Sequence, residues 1–209
     1  MNAKLDAQGT TFIVSAPSGA GKTTLVRELL SRTAVLELSV SLTTRAARAG
    51  EEDGVHYHFV TRAAFEDSIA RGEMLEHADV FGNLYGTSKH FVEERLNAGV
   101  DVVLEIDWQG AKLARERLAQ TVSIMILPPS LDELANRLRS RGKDSADVIA
   151  RRLSEARTEL SHMDEFDYWV INDKFDEALR GLRSIVESQR LHRSQQKARH
   201  ADLVAGLLP

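Results

Sequence analysis

The sequence predicts an α/β fold in which helices flank a parallel sheet, and three observations support this. Short apolar runs alternate with helix-like segments along the 209 residues, as they do in parallel α/β proteins. A glycine-rich turn containing a lysine and a threonine directly follows the first apolar run. The runs end near polar or proline residues, which is typical of strands buried on both faces. They predict four core strands: Phe12–Ser15, Val100–Asp107, Val122–Leu127 and Tyr168–Asn172.

The remaining elements follow from the segments between these runs. The pattern predicts helices over Lys22–Arg32, Lys89–Asn97, Gly110–Ala119, Leu131–Arg141, Ala146–Met163 and a long segment from Phe175 onward. Leu36–Leu42 and Val55–Val60 instead alternate as half-exposed strands do, with a charged turn between them. We therefore expect residues 35–90 to form an inserted subdomain of mixed strands over the face that carries the glycine-rich turn. The chain is expected to be one domain with lobes.

Composition narrows the class of protein. Hydrophobic residues make up 43% of the chain, enough for a sizeable core, and the formal net charge is −4. This charge argues against a general binder of nucleic acids or membrane surfaces. The chain contains no cysteine, which excludes disulfides and thiolate metal sites and suits a reducing compartment. The first nine residues lack the apolar centre of a signal peptide, and no apolar run approaches the length of a membrane span. We expect a soluble, cytoplasmic protein.

The turn after the first strand has the chemistry of a phosphate-binding loop. Gly19 and Gly21 allow successive backbone N–H groups to point toward phosphate oxygens, and the following helix directs its positive end at the same anions. Lys22 can reach the β- and γ-phosphates of ATP, and the Thr23 hydroxyl can bind Mg²⁺. The alternative is a glycine-rich turn without a phosphate role, and Ala16 stands where the usual pattern has glycine. The predicted ATP-binding residues are Ala16, Pro17, Ser18, Gly19, Ala20, Gly21, Lys22, Thr23 and Thr24.

A second phosphate site is indicated within the insertion. Arg45 and Arg48 lie three residues apart after a strand rich in hydroxyl groups. Guanidinium groups bind phosphate with two parallel hydrogen bonds, and a pair of them can neutralise a dianion. Two exposed arginines on a solvated turn are the alternative.

Several motifs in order resemble those of the guanylate kinase family. Residues 41–59 follow the pattern SxTTRxxRxGExxGxHYxF, after APSGAGKT at residues 16–23. Further matches are Leu75–Ala78, Phe81–Ser88, Leu104–Gly110, Ile126–Ser130 and Tyr168–Asp173. The resemblance covers about residues 11 to 175. It implies a P-loop NTPase core at about residues 10–34, 91–136 and 153–209, a GMP-binding lobe at about 35–90 and a helical lid at about 137–152.

The resemblance implies that ATP phosphorylates GMP, and dGMP as well. It assigns the GMP phosphate to Arg45, Arg48, Tyr57 and Tyr85, and the guanine base to Ser41, Glu76 and Thr87. The chemistry agrees, because one carboxylate can accept both N1–H and the N2 amino group of guanine, whereas adenine presents a bare acceptor at N1.

The resemblance also suggests roles near the transferred phosphoryl group. Glu105 and Asp107 share one strand face near its carboxyl end; Asp107 is a candidate for contacts to Mg²⁺, water or the guanine amino group, and either acid could instead cap the next helix. Arg137 and Arg141, four residues apart, and Arg152 are implied to reach the phosphoryl group from the lid. Asn172 is implied to lie near adenine.

Two other functions compete with this interpretation. A related kinase for a sugar phosphate should lack the guanine-reading residues Ser41, Glu76 and Thr87, all of which are present. A non-catalytic binding module would be expected to lose the phosphate loop, which is intact. The basic segment between Arg180 and Arg199 is better explained by a solvated helix face or a subunit contact than by nucleic acid, and a homo-oligomer is left open.

Overall fold

The computed structural model describes residues 8–80, 82–118, 120–140 and 145–207. The strands are β1 (Thr11–Ser15), β2 (Leu36–Leu38), β3 (Leu42–Thr43), β4 (His58–Phe59), β5 (Met74–Val80), β6 (Asn83–Ser88), β7 (Asp101–Glu105), β8 (Thr121–Leu127) and β9 (Tyr168–Ile171). The helices are α1 (Lys22–Ser31), α2 (Arg62–Ala70), α3 (Lys89–Asn97), α4 (Trp108–Arg117), α5 (Leu131–Ser140), α6 (Ala146–Leu160), α7 (Phe175–Arg190), α8 (Arg193–Arg199) and α9 (Ala201–Leu207). None of the helices in these ranges is long and apolar enough to cross a membrane.

A five-stranded parallel sheet forms the centre, in the order β2-β7-β1-β8-β9. Ile13 of β1 lies opposite Leu104 of β7 and Ser123 of β8. Since all strands run in one direction, their carboxyl ends meet at one edge, where open α/β sheets bind ligands. The turn after β1 lies at the middle of that edge.

Helices cover both faces of this sheet, because its strands are apolar on both sides. Phe12 and Val14 pack with α1 and α7, while Ile13 points to the opposite face and packs with α3 and α4. Strand β1 is buried throughout. The predicted fold class, an α/β protein with a parallel sheet between helices, is confirmed.

A second sheet, in the order β4-β3-β6-β5, forms the inserted lobe. It is mixed, since β3 pairs parallel with β4 but antiparallel with β6, and β5 and β6 are antiparallel. Phe65 of α2 packs against Met74 and Leu84 to give the lobe its own small core. Helix α4 packs against β5 and joins the lobe to the central sheet.

The predicted start of the lobe was wrong. Leu36–Leu42 is divided between the two sheets: Leu36–Leu38 forms β2 and pairs parallel with β7 in the centre, and only Leu42 and Thr43 belong to the lobe. The alternating pattern of Leu36–Leu42 was interpreted as that of a half-exposed lobe strand. Two of the three residues of β2 are half-exposed because β2 is an edge strand of the central sheet. In Val55–Val60, only His58 and Phe59 form a strand.

The C-terminal helix is also shorter than predicted. It ends at Arg190, and His192 leaves the helical region of backbone space before α8 begins. The helix predicted to reach Met163 ends at Leu160 and is followed by a 3₁₀ turn at Met163–Glu165. Ala119 and Arg141, predicted as helix ends, lie outside the described residues.

A buried ion pair joins the end of α7 to the central sheet. Asp101 is 1% exposed, and its Oδ2 accepts from Nε of Arg190 at 2.7 Å while Oδ1 accepts from the N–H of Thr10 at 2.7 Å. The same guanidinium donates to the carbonyls of Ala34 and Val35. The Asp101–Arg190 pair therefore anchors the chain before β1, the turn before β2 and the end of α7.

Asp101→Asn should lower the free energy of unfolding by about 3 kcal/mol, because it leaves the Arg190 cation facing an amide in a largely buried site. Urea denaturation measures this. Glu187→Gln is the matched control: its pair with Arg183 is exposed and should contribute less than about 1 kcal/mol. Equal losses in the two variants would contradict an anchoring role for Asp101.

Candidate active site

The loop between β1 and α1 has the backbone geometry that the sequence predicts. Gly19 and Gly21 adopt φ values of 95° and 91°, in a region that side chains rarely tolerate. A backbone hydrogen bond from the N–H of Ala20 to the carbonyl of Pro17 closes the turn, and Lys22 begins α1. The loop thus presents backbone N–H groups and a helix N-terminus at the ligand-binding edge of the sheet.

Asn172 supports this loop from the side. It is 7% exposed, and its Nδ2 donates to the Ala20 carbonyl at 2.7 Å. A Cβ on Gly21 would lie 2.6 Å from the same nitrogen, so the loop and the amide fit only with glycine there. Arg137 of α5 donates from Nη1 to the Asn172 carbonyl at 3.1 Å. The amide nitrogen is thus engaged by the loop, and the contact of Asn172 with adenine stays a prediction.

The carboxyl end of β7 supplies oxygen ligands beside the loop. Thr23 Oγ1 donates to Glu105 Oε2 at 3.5 Å. A hydroxyl and a carboxylate suit Mg²⁺, which keeps several waters and binds phosphate oxygens rather than a full protein cage. Accordingly, the described residues contain no group of three or more His, Cys, Asp or Glu side chains placed to hold a metal. Asp107 caps α4, because its Oδ1 accepts from the Gly110 N–H at 2.8 Å. One of its two carboxylate oxygens therefore has the helix-capping role that the sequence analysis gave as the alternative.

A buried carboxylate–hydroxyl pair lies where the lobe meets the core. Glu76 and Thr87 are paired across β5 and β6, and Thr87 Oγ1 donates to Glu76 Oε1 at 2.5 Å. They are 3% and 1% exposed. Burial raises the pKa of Glu76 to about 7; the Thr87 hydrogen bond lowers it, nearby Asp107 raises it, and Arg117 lowers it. An ionised carboxylate in this position can accept hydrogen bonds from a ligand with N–H donors.

Two residues that the sequence analysis did not single out position Glu76. Arg117 of α4 donates from Nη1 to the carbonyls of Met74 and Leu75 at 3.1 and 2.6 Å, which fixes the start of β5. Gly110 faces the carboxylate itself, since a Cβ there would lie 2.8 Å from Glu76 Oε2. Ser41, the third predicted base-reading residue, precedes β3, and its carbonyl accepts from the N–H of His58 at 2.9 Å.

The predicted acceptor-phosphate residues form one cluster in the lobe. Glu51 holds Arg45 with two hydrogen bonds, of 3.0 and 2.9 Å, and also accepts from the backbone N–H of Arg48 at 2.7 Å. The Arg45 guanidinium lies 5.4 Å from the Tyr57 ring centre, and the Tyr57 and Tyr85 rings are 5.9 Å apart. The hydrogen bond to Glu51 raises the pKa of Arg45, and burial raises that of Tyr57. Glu51, adjacent to the arginine motif, is the positioning group that the sequence analysis missed.

Helices α5 and α6, which flank the segment expected to form the lid, pack on each other through Leu134, Leu138 and Ala156. Arg137 is half-buried and is held by Glu133 at 2.8 Å. Arg152 lies half-buried on α6, and Arg141 lies outside the described residues. The sequence analysis also missed Glu159 of α6, whose Oε2 accepts from the Ser18 N–H of the phosphate loop at 3.2 Å. Because Ser18 and Glu159 are 141 positions apart in the chain, no local sequence pattern links them.

Known proteins match this chain over nearly its whole length. The family model described as guanylate kinase matches residues 8–189. The chain is 52% identical over 203 residues to the guanylate kinase of Vibrio parahaemolyticus, covering 96% of this chain and 98% of that protein. It is 54% identical over 201 residues to the guanylate kinase of Methylobacillus flagellatus, covering 96% and 100%.

Solved structures give the same result for the fold. The crystal structure of guanylate kinase from Anaplasma phagocytophilum superposes with a TM-score of 0.77 at 34% identity, covering 91% of this chain and 90% of that one. The similarity to this structure therefore extends over most of the chain.

Gly110→Ala should weaken GMP binding by about tenfold or more, because the new methyl group must push the Glu76 carboxylate away from its present position. Binding of ADP should change little, since the phosphate loop lies elsewhere. Calorimetric titration of each nucleotide measures both. Gly181→Ala is the control, because its Cβ would meet Val170 at an ordinary 3.9 Å. Unchanged GMP affinity in Gly110→Ala would contradict the role given to Glu76.

Proposed function

Since the chain belongs to the guanylate kinase family, we propose that it transfers the γ-phosphoryl group of ATP to GMP, with dGMP as a second acceptor. The observation that carries the proposal is the buried Glu76–Thr87 pair in a lobe that adjoins an intact phosphate loop. A carboxylate that is costly to bury needs a ligand with donors, and guanine offers N1–H and N2–H₂ side by side.

The acceptor side follows from the lobe. Arg45 and Arg48, with the hydroxyls of Tyr57 and Tyr85, would hold the GMP phosphate, while Ser41 and Thr87 would assist Glu76 with the base. The ion pair with Glu51 supports this for Arg45, because it orders the guanidinium before substrate arrives.

The donor side follows from the loop and the lid. Backbone N–H groups of residues 18–24 and the Lys22 ammonium would hold the ATP phosphates, and Arg137, Arg141 and Arg152 would reach the transferring group. Thr23, with Glu105 and Asp107 nearby, would hold Mg²⁺, which supplies charge neutralisation to bound triphosphate. A cytoplasmic location and a homo-oligomer stay predictions.

The reaction needs no protein nucleophile. A phosphate oxygen of GMP attacks the γ-phosphorus in line, and ADP leaves on the opposite side. Because the transition state has little covalent demand, the protein contributes positioning and charge stabilisation. Lys22 and the lid arginines stabilise the charge, and the lobe and lid exclude water when they close.

The two alternatives fit the site less well. A sugar phosphate presents hydroxyl groups and lacks the adjacent N–H pair that the Glu76 carboxylate is built to accept. A non-catalytic module has no use for the two left-handed glycines and the supporting Asn172, which together keep the loop open for phosphate.

Two substitutions separate the donor and acceptor sites. Lys22→Ala should lower kcat by about 10²-fold or more, because it removes a charge that acts on the transition state. Arg45→Ala should instead raise the KM for GMP far more than that for ATP. A coupled assay for ADP formation measures both. A Lys22→Ala enzyme with near-normal turnover, or an Arg45→Ala enzyme equally impaired toward both substrates, would contradict these roles.

Glu76 should also give the reaction a pH dependence. The carboxylate accepts from guanine only when ionised, and in the free enzyme its pKa is raised to about 7, so kcat/KM for GMP should fall as the pH drops through about 7. Glu76→Gln should lower kcat/KM for GMP strongly, narrow the preference for GMP over AMP, and lose this pH dependence. The second ionisation of the GMP phosphate, near pH 6, affects both enzymes equally, so the difference between their profiles reports Glu76. Parallel profiles would mean that guanine is read elsewhere.

A further inference from the structure

Glu159 places a carboxylate at the phosphate loop. It lies in the last turn of α6, and its Oε2 accepts the Ser18 N–H at 3.2 Å. The Lys22 ammonium is close enough to favour its ionised form. The two groups that face Glu159 here, a loop N–H and the loop lysine, are groups that the proposed function assigns to the phosphates of ATP.

An ionised carboxylate at this position costs free energy because it is partly removed from water, which is unexpected for a side chain without a function. Burial raises the pKa of Glu159 to about 7; Lys22 and the Ser18 N–H lower it, and Asp107 and Glu155 raise it further. Only the positive character of the loop offsets the cost of bringing the charge out of water. A carboxylate matches a phosphate oxygen in charge and in accepting N–H donors, so the loop binds it by the same interactions.

We propose that Glu159 is an internal phosphate mimic, which occupies part of the ATP phosphate site in the nucleotide-free enzyme and is displaced when the triphosphate binds. This rests on the proposed function of the loop. The Ser18 N–H has a single hydrogen, so a phosphate oxygen that takes it must release the carboxylate. If the carboxylate stayed, its charge would repel the phosphates.

Displacement has a mechanical consequence because of where Glu159 is attached. Helix α6 also carries Arg152 and packs on α5 through Ala156, Leu134 and Leu138, and α5 carries Arg137. Releasing Glu159 frees the end of α6 from the loop, so the arrival of ATP and the repositioning of the lid arginines are linked. The competing carboxylate keeps the end of α6 attached to the loop while ATP is absent.

The test compares nucleotide affinities in the full-length chain. A non-hydrolysable ATP analogue with Mg²⁺ should bind Glu159→Gln about fivefold more tightly than the unsubstituted protein at about pH 8, where the carboxylate is mostly ionised. Glu159→Asp, which keeps the charge but withdraws it by one methylene, should also bind more tightly, by a smaller factor. AMP, which lacks the displaced phosphates, and GMP should bind all variants alike.

Glu116→Gln is the matched control, since it makes the same change at an exposed position on α4 and should leave analogue binding unchanged. Unchanged or weaker analogue binding in both Glu159 variants, with GMP affinity intact to show that they fold, would overturn the proposal; weaker binding would mean that Glu159 supports the loop instead. The proposed function fails separately, if the unsubstituted protein binds the analogue but forms no GDP from ATP and GMP.

Discussion

The structure depends on one backbone constraint, the left-handed conformation of Gly19 and Gly21 in the turn after the central strand. That conformation directs successive N–H groups outward at the carboxyl edge of the sheet, and the Asn172 amide supports it by donating to the Ala20 carbonyl. Asn172 follows β9, which is separated from β1 by β8, so this support requires the three strands to be in register. The fold thus serves to hold a short anion-binding turn in place.

Glu76 is buried and Glu159 is half-buried, and these two carboxylates lie at the two proposed nucleotide sites, where they work in opposite senses. Glu76 is complementary to its proposed ligand: it offers acceptors to the donors of guanine. Glu159 resembles its proposed ligand: it takes up donors that ATP phosphates would use. Both have a pKa raised to about 7, chiefly by burial. In both cases a carboxylate shielded from water lies at the proposed ligand site, but only its partners distinguish a ligand that binds to it from one that replaces it.

Local chemistry explains which parts the sequence could predict. The phosphate loop is encoded within eight consecutive residues, and its strand, turn and helix were all correctly predicted. The edge strand β2 was not, because a strand covered on fewer sides has the half-exposed pattern of a lobe strand. Glu159 and Arg117 escaped notice for a different reason. Their partners, Ser18 and the carbonyls of Met74 and Leu75, are 141 and about 42 residues away, and only the folded chain brings them together.

The distribution of charge ties the two sites to each other. Asp107, which caps α4, raises the pKa of both Glu76 and Glu159, so its negative charge acts on both carboxylates. Two anionic nucleotides must meet in this region, and positive groups from several parts of the chain must stabilise their negative charge. The core supplies Lys22 and the loop N–H groups, the lobe supplies Arg45, and the lid supplies Arg137. Because these groups come from different parts of the chain, we expect the site to be complete only when lobe and lid close together, which would limit transfer of the phosphoryl group to water.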